Sequence, residues 1–127
     1  MRCTIVIPEH LESVLRAHLF QNELEQGAFL FSRVAETSEE LLLEVEHCHL
    51  LPPSAWEIQL EDYLEMKDGE RARIMKRARD GGLVVIECHS HPGSGNYVWF
   101  SPSDELGIRE FAPCFCFRGS AARISAG

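Results

Sequence analysis

The stretch Leu83-Val84-Val85-Ile86-Glu87-Cys88-His89-Ser90-His91-Pro92 decides how the rest of the chain is read. Its first four residues are apolar and mostly β-branched, the composition of a short buried strand, so the two histidines stand at that strand's end. Side chains alternate along a strand, and residues two apart face the same way. His89 and His91 therefore project together, Cys88 turns the opposite way into the core, and Pro92 ends the strand by withholding a backbone donor. Two imidazoles on one face make half of a metal site, because a catalytic zinc usually takes three protein ligands and keeps a fourth position open.

Working outward, Gly93-Ser94-Gly95-Asn96 is a loop flexible enough to fold back on the histidines, and Ser101-Pro102-Ser103-Asp104 reads as the first turn of a helix. Ser101 is the expected N-cap, Pro102 the first helical residue, and Asp104 the candidate third ligand. Upstream, Glu25 leads into Gly27-Ala28-Phe29-Leu30-Phe31-Ser32, an apolar run that reads as a central strand. Each feature has an ordinary explanation: sheet-edge histidines, a Ser-x-x-acid helix cap, a solvated carboxylate. Their coincidence in one chain favours a shared site.

At these residues the chain resembles the JAMM (JAB1/MPN/Mov34) metalloprotease family, of the prokaryotic type. That family's signature is a distant Glu in a Glu-x-Cys-Gly-x-Leu-Leu-Gly pattern, then His-Ser/Thr-His-Pro, then Ser-x-x-Asp. The resemblance implies a single JAB/MPN-like domain with a mixed β-sheet flanked by helices in cytidine-deaminase-like layering. It implies one zinc ion per chain held by His89, His91 and Asp104, with Glu25 as general base (Glu23 as the fallback) and Ser101 stabilising the tetrahedral intermediate. It also implies the substrate class: an amide after the C-terminus of a ubiquitin-like or sulfur-carrier protein, with an activating-enzyme-like protein as a further partner. The alternative is an inactive scaffold or interaction module of the same fold. Nine residues separate His91 from Ser101, two more than the family usually has, and the glycine-rich loop accommodates them.

Composition sets the frame. A chain of 127 residues makes one domain, 1–127, able to bury roughly two-thirds of the surface of its unfolded form. The sequence has neither a membrane-length apolar run nor a signal-peptide pattern, so the expected location is cytoplasmic. Five cysteines, an odd number without framework spacing, read as reduced thiols. The net charge of −8 is uneven: residues 1–62 hold twelve acids and three bases, residues 63–127 eight acids and nine bases. Such an acidic half repels nucleic acid. Lys67, Arg71, Arg73, Lys76, Arg77 and Arg79 read as the wet face of a helix.

In chain order, the pattern predicts a strand over 4–7, a helix over 9–20, and strands over 27–32 and 41–46 joined by a polar hairpin at 36–40. It continues with a half-exposed strand over 56–60, a helix over 68–80 ended by Gly81-Gly82, the histidine strand, a helix over 102–110 and a strand over 113–117. Residues 118–127 read as a weakly structured tail, with the domain shortened at its C-terminus. Alternating helices and strands of this kind give an α/β or α+β class. Three other chemistries are set aside. Gly93-Ser94-Gly95 lacks the lysine and glycine spacing of a phosphate loop. Pro113-Cys114-Phe115-Cys116 is one residue short of a deaminase zinc motif, and no His-x-Glu accompanies it. Ser90 lacks a nucleophile elbow and lies opposite its neighbouring histidines. His47-Cys48-His49 repeats the histidine spacing, but it lacks a nearby acid with a helix start and runs straight into Leu50-Leu51-Pro52-Pro53, so it reads as a strand end.

Overall fold

The structure is a computed structural model that describes residues 2–92 and 122–126. Arg2–Ile7 forms β1, and Pro8 opens helix α1, Glu9–Leu19, its carbonyl accepting the amides of Leu11 and Glu12. The acids Glu9 and Glu12 lie in the first turn, where they complement the helix dipole. Strands β2, Gly27–Glu36, and β3, Glu40–Leu50, form a long hairpin. Both are longer than the apolar runs that announce them. In its outer half β2 continues through Arg33, Val34, Ala35 and Glu36, which pair with Glu44 back to Leu41. The turn between them is held by Thr37, whose amide donates to the Glu40 carbonyl at 2.8 Å and whose hydroxyl accepts the Glu40 amide at 3.0 Å.

A short turn at Pro53–Ala55 leads into β4, Trp56–Gln59, which pairs with β5, Leu64–Met66, in a small separate sheet. Helix α2, Asp68–Gly81, then ends as the Gly-Gly pair predicts. Gly82 takes the left-handed conformation at φ 64°, and the amides of Gly82 and Leu83 donate back to the carbonyls of Arg79 and Ala78. Strand β6, Val84–His89, follows. The tail contains a strand, β7, Ala122–Ala126, which pairs parallel with β1 and corrects its reading as weakly structured. Backbone pairing to a free edge of β1 supplies the order that the small residues of this segment do not announce.

Among the described residues the main sheet has five strands in the order β6-β2-β3-β1-β7. β2 is antiparallel to both β3 and β6, whereas β1 is parallel to both β3 and β7. Strand alternation divides the core in two. Ala28, Leu30, Leu43, Val45, Ile5 and Ile7 pack with Leu15 of α1, while Phe29, Phe31 and Val85 pack with Ile74 and Ala78 of α2 and with Trp56. The chain is a mixed α+β domain, and the buried sheet centre fixes the strand end that carries the histidines. Among the described residues no helix is long and apolar enough to cross a membrane. The expected helix over 102–110, the strand over 113–117, the glycine loop and the Cys114/Cys116 pair lie outside the described residues.

Candidate functional site

β6 pairs with β2 so that His89 stands opposite Gly27, Cys88 opposite Ala28 and Glu87 opposite Phe29. Gly27 and Phe29 belong to the face covered by Trp56 and α2, so His89 faces that side, and Cys88 packs on the α1 side. The expected parity of Cys88 against the histidines is thus observed. Burial, and then Cys48 and Glu87, push the Cys88 thiol up to about 12, which makes it a poor nucleophile and a poor metal ligand.

His91 lies just beyond the strand, yet its Nε2 approaches Nε2 of His89 at 2.9 Å. The rings stack at a centroid separation of 4.8 Å and an interplanar angle of 27°. Two nitrogens bound to one tetrahedral zinc at the usual ligand length stand about 3.3 Å apart, so the pair fits two ligand positions after a small opening. Among the described residues no three His, Cys, Asp or Glu side chains form a metal-holding group. Asp104, the third candidate, and Ser101 lie outside the described residues.

The candidate general base is close in register. The paired register ends with Gly27 opposite His89, two residues after Glu25. Two hydrogen bonds carry the pairing past the strand end: the Ser90 amide donates to the Gln26 carbonyl at 3.0 Å, and the Gln26 amide donates to Ser90 Oγ at 2.9 Å. On its other side the Glu25 amide donates to the Leu60 carbonyl at 2.8 Å. Gln59 Nε2 donates to the Glu25 carbonyl at 2.9 Å and to Gln26 Oε1 at 3.1 Å, and Gln26 Nε2 donates to Asn22 Oδ1 at 3.0 Å. Glu25 is only 6% exposed, whereas the fallback Glu23 lies in solvent.

Gly27 forms the floor between the two segments. A side chain there would collide with the Trp56 indole, 2.7 and 2.8 Å from Cη2 and Cζ2. The Gly27 carbonyl accepts the Leu51 amide at 3.2 Å and His18 Nε2 at 2.9 Å. A carbonyl can only accept, so His18 carries its proton on Nε2, and Nδ1 receives Gln21 Nε2 at 3.2 Å. His18 is thus a buttress of the Gly27 carbonyl.

The second histidine pair lies elsewhere. His47 and His49 sit on β3 opposite Phe31 and Phe29, with all of β2 between them and β6. Two strand spacings amount to about 9.5 Å. Burial and then the Arg77 guanidinium hold both imidazoles below the ordinary histidine range; His49 adds to the effect on His47, and Glu70 partly opposes it on His49.

Sequence reading missed Ser90, Gln26, Gln59 and Trp56 as parts of this site. The available signal was parity: a polar serine between two histidines has to find a partner on the buried side.

No protein-family model matches the chain, and no curated protein matches it. Among solved structures it is similar to the solution structure of protein DSY2949 from Desulfitobacterium hafniense, at 21% identity and a TM-score of 0.58 over 96% of this chain and 74% of that one. A likeness at that identity concerns the fold alone.

Proposed function

We propose that the chain is a zinc-dependent metallopeptidase of JAB/MPN-like fold, with cytidine-deaminase-like layering. Its reaction is hydrolysis of an amide after the C-terminus of a ubiquitin-like or sulfur-carrier protein in the cytoplasm, with an activating-enzyme-like protein as partner. The observation that carries this reading is the close approach of His89 and His91 Nε2, at 2.9 Å, together with a buried acid, Glu25, whose backbone is bonded to Leu60 and Gln59. The substrate class rests on the motif resemblance.

In this reading His89, His91 and Asp104 would hold the zinc ion. When bound, such an ion lowers the pKa of its water to about 7 and polarises the scissile carbonyl. Glu25 takes the proton from the attacking water and returns it to the leaving nitrogen. Ser101 donates a hydrogen bond to the developing oxyanion, an interaction of roughly 2.7–4 kcal/mol in comparable sites. The burial of Glu25, 6% exposed, shields it from bulk water, as a general base in a closed site requires.

Zinc per chain, measured on untagged protein, is the first test. Near-stoichiometric zinc that falls sharply in His91→Ala with an unchanged circular dichroism spectrum is expected. Glu25→Gln should keep zinc and lose cleavage of a ubiquitin-like protein bearing a C-terminal peptide extension, by at least about 100-fold, the range that a positioned acid-base group supplies. A wild type that takes up no zinc after reconstitution at neutral pH overturns the reading.

A further inference from the structure

Ser90 is set apart from the histidines that flank it. It is 4% exposed, and a buried hydroxyl that found no partner would destabilise the fold. Its partner is the backbone of the segment carrying Glu25. In an antiparallel ladder, opposed residues alternate between pairs that exchange two main-chain hydrogen bonds and pairs that exchange none. Gln26 and Ser90 occupy a bonded position, and the first of their two bonds is regular, from the Ser90 amide to the Gln26 carbonyl at 3.0 Å. The second departs from the pattern: the Gln26 amide ends on Ser90 Oγ, at 2.9 Å.

This exchange of a side-chain oxygen for a main-chain one has two consequences. The β6 backbone can leave the ladder at Ser90, just past the strand's end at His89, without orphaning the Gln26 amide. It also keeps Gln26, and with it the adjoining Glu25, tied to the end of β6 by two hydrogen bonds. The Glu25 amide itself is turned away from β6, toward Leu60. A main-chain bond to the Ser90 carbonyl would instead have carried the strand straight on.

We propose that Ser90 is a positioning residue: its hydroxyl holds the Glu25 segment in register against the two histidines while letting the strand turn between them. The role of that register in catalysis rests on the metallopeptidase reading above, whereas the hydrogen bond itself does not.

The test uses the full chain with Ser90→Ala, Ser90→Thr and the shape-matched Ser90→Val. Amide hydrogen exchange at Gln26 should accelerate at least about tenfold in Ser90→Ala and Ser90→Val, stay within about twofold of wild type in Ser90→Thr, and leave the Leu30 and Phe31 amides unchanged. Unchanged Gln26 protection in Ser90→Ala and Ser90→Val overturns the proposal. So does an acceleration shared equally by Leu30 and Phe31, which would mark Ser90 as ordinary core.

Cobalt(II) loading supplies the second readout, the pH midpoint of the visible absorption. The midpoint in Ser90→Ala should move toward that of Glu25→Gln, and the double variant should match Glu25→Gln. If Ser90→Thr stands in place of an alanine variant that fails to fold, its midpoint should equal that of the wild type and that of Ser90→Val should not. A Glu25→Gln shift that neither Ser90→Ala nor Ser90→Val shares overturns the positioning role. A wild type that binds no cobalt, or whose midpoint ignores Glu25→Gln, overturns the metallopeptidase reading and the catalytic role with it, and the exchange data keep that failure distinct.

Discussion

At the scale of single residues, the candidate site depends on atoms that are absent as much as on those present. Gly27 is required because the Trp56 indole lies where its Cβ would go, at 2.7 Å, and an indole held by the core cannot swing aside as a surface side chain can. Gly27→Ala should therefore destabilise the fold by about 1–3 kcal/mol, the usual range for overpacking. A second substitution, Trp56→Leu, should recover part of that loss in the double variant. Urea unfolding of the four proteins checks this, and strictly additive effects would show that the collision is relieved elsewhere. The histidine parity and the inward turn of Cys88 were legible in the sequence, since period-two alternation is local. The roles of Ser90, Gln59 and Trp56 were not, because each is defined by a partner far away in the chain, 64 residues off for Ser90 and 34 for Gln59.

Among the elements, helix α2 and strand β3 are coupled through Arg77, whose guanidinium lies 4.9 Å from the centroid of the Phe31 ring and depresses the pKa of His47 and His49. Both imidazoles are more easily protonated in the unfolded chain, where the ordinary value is about 6.5. The stability they contribute is thus present in full above about pH 6.5 and is lost as the pH falls below it toward their depressed folded values. Urea midpoints should fall between pH 7.5 and 5.5, and the combined variant His47→Gln with His49→Gln should show a shallower fall than wild type. Equal slopes would remove these histidines from the acid response. The helices were legible to within about a residue, because capping and period 3.6 are strong local signals. The outer half of β2 was not, since it includes exposed charged residues, nor was the continuation of β3 through 47–50, and β5 is only three residues long.

Across the whole molecule, the sheet order could not be read from the chain. β1 is first in sequence yet lies between β3 and β7, and both of its pairings are parallel and non-local. Parallel neighbours require crossovers, so no hairpin signal announces them. The pairing of β7 matters more than its sequence suggests. Its register runs from Cys3 with Ala122 to Ile7 with Ala126, along the full inner length of the strand that leads into α1. Removing residues 118–127 would leave that edge of β1 unpaired, an open template for another chain. At about 1 kcal/mol for each hydrogen bond lost, the truncated chain should lose several kcal/mol of a total that for such domains is only about 5–15 kcal/mol. The expected result is a fall in Tm of about 10 °C or more, taking roughly 2–8 °C per kcal/mol, together with concentration-dependent association in sedimentation velocity. A truncated protein that stays monomeric and melts within about 2 °C of the full chain would show that the β1 edge does not depend on β7. Zinc uptake by the same truncation separates two dependences: the histidine strand lies at the opposite edge of the sheet, so metal binding should survive wherever the fold does.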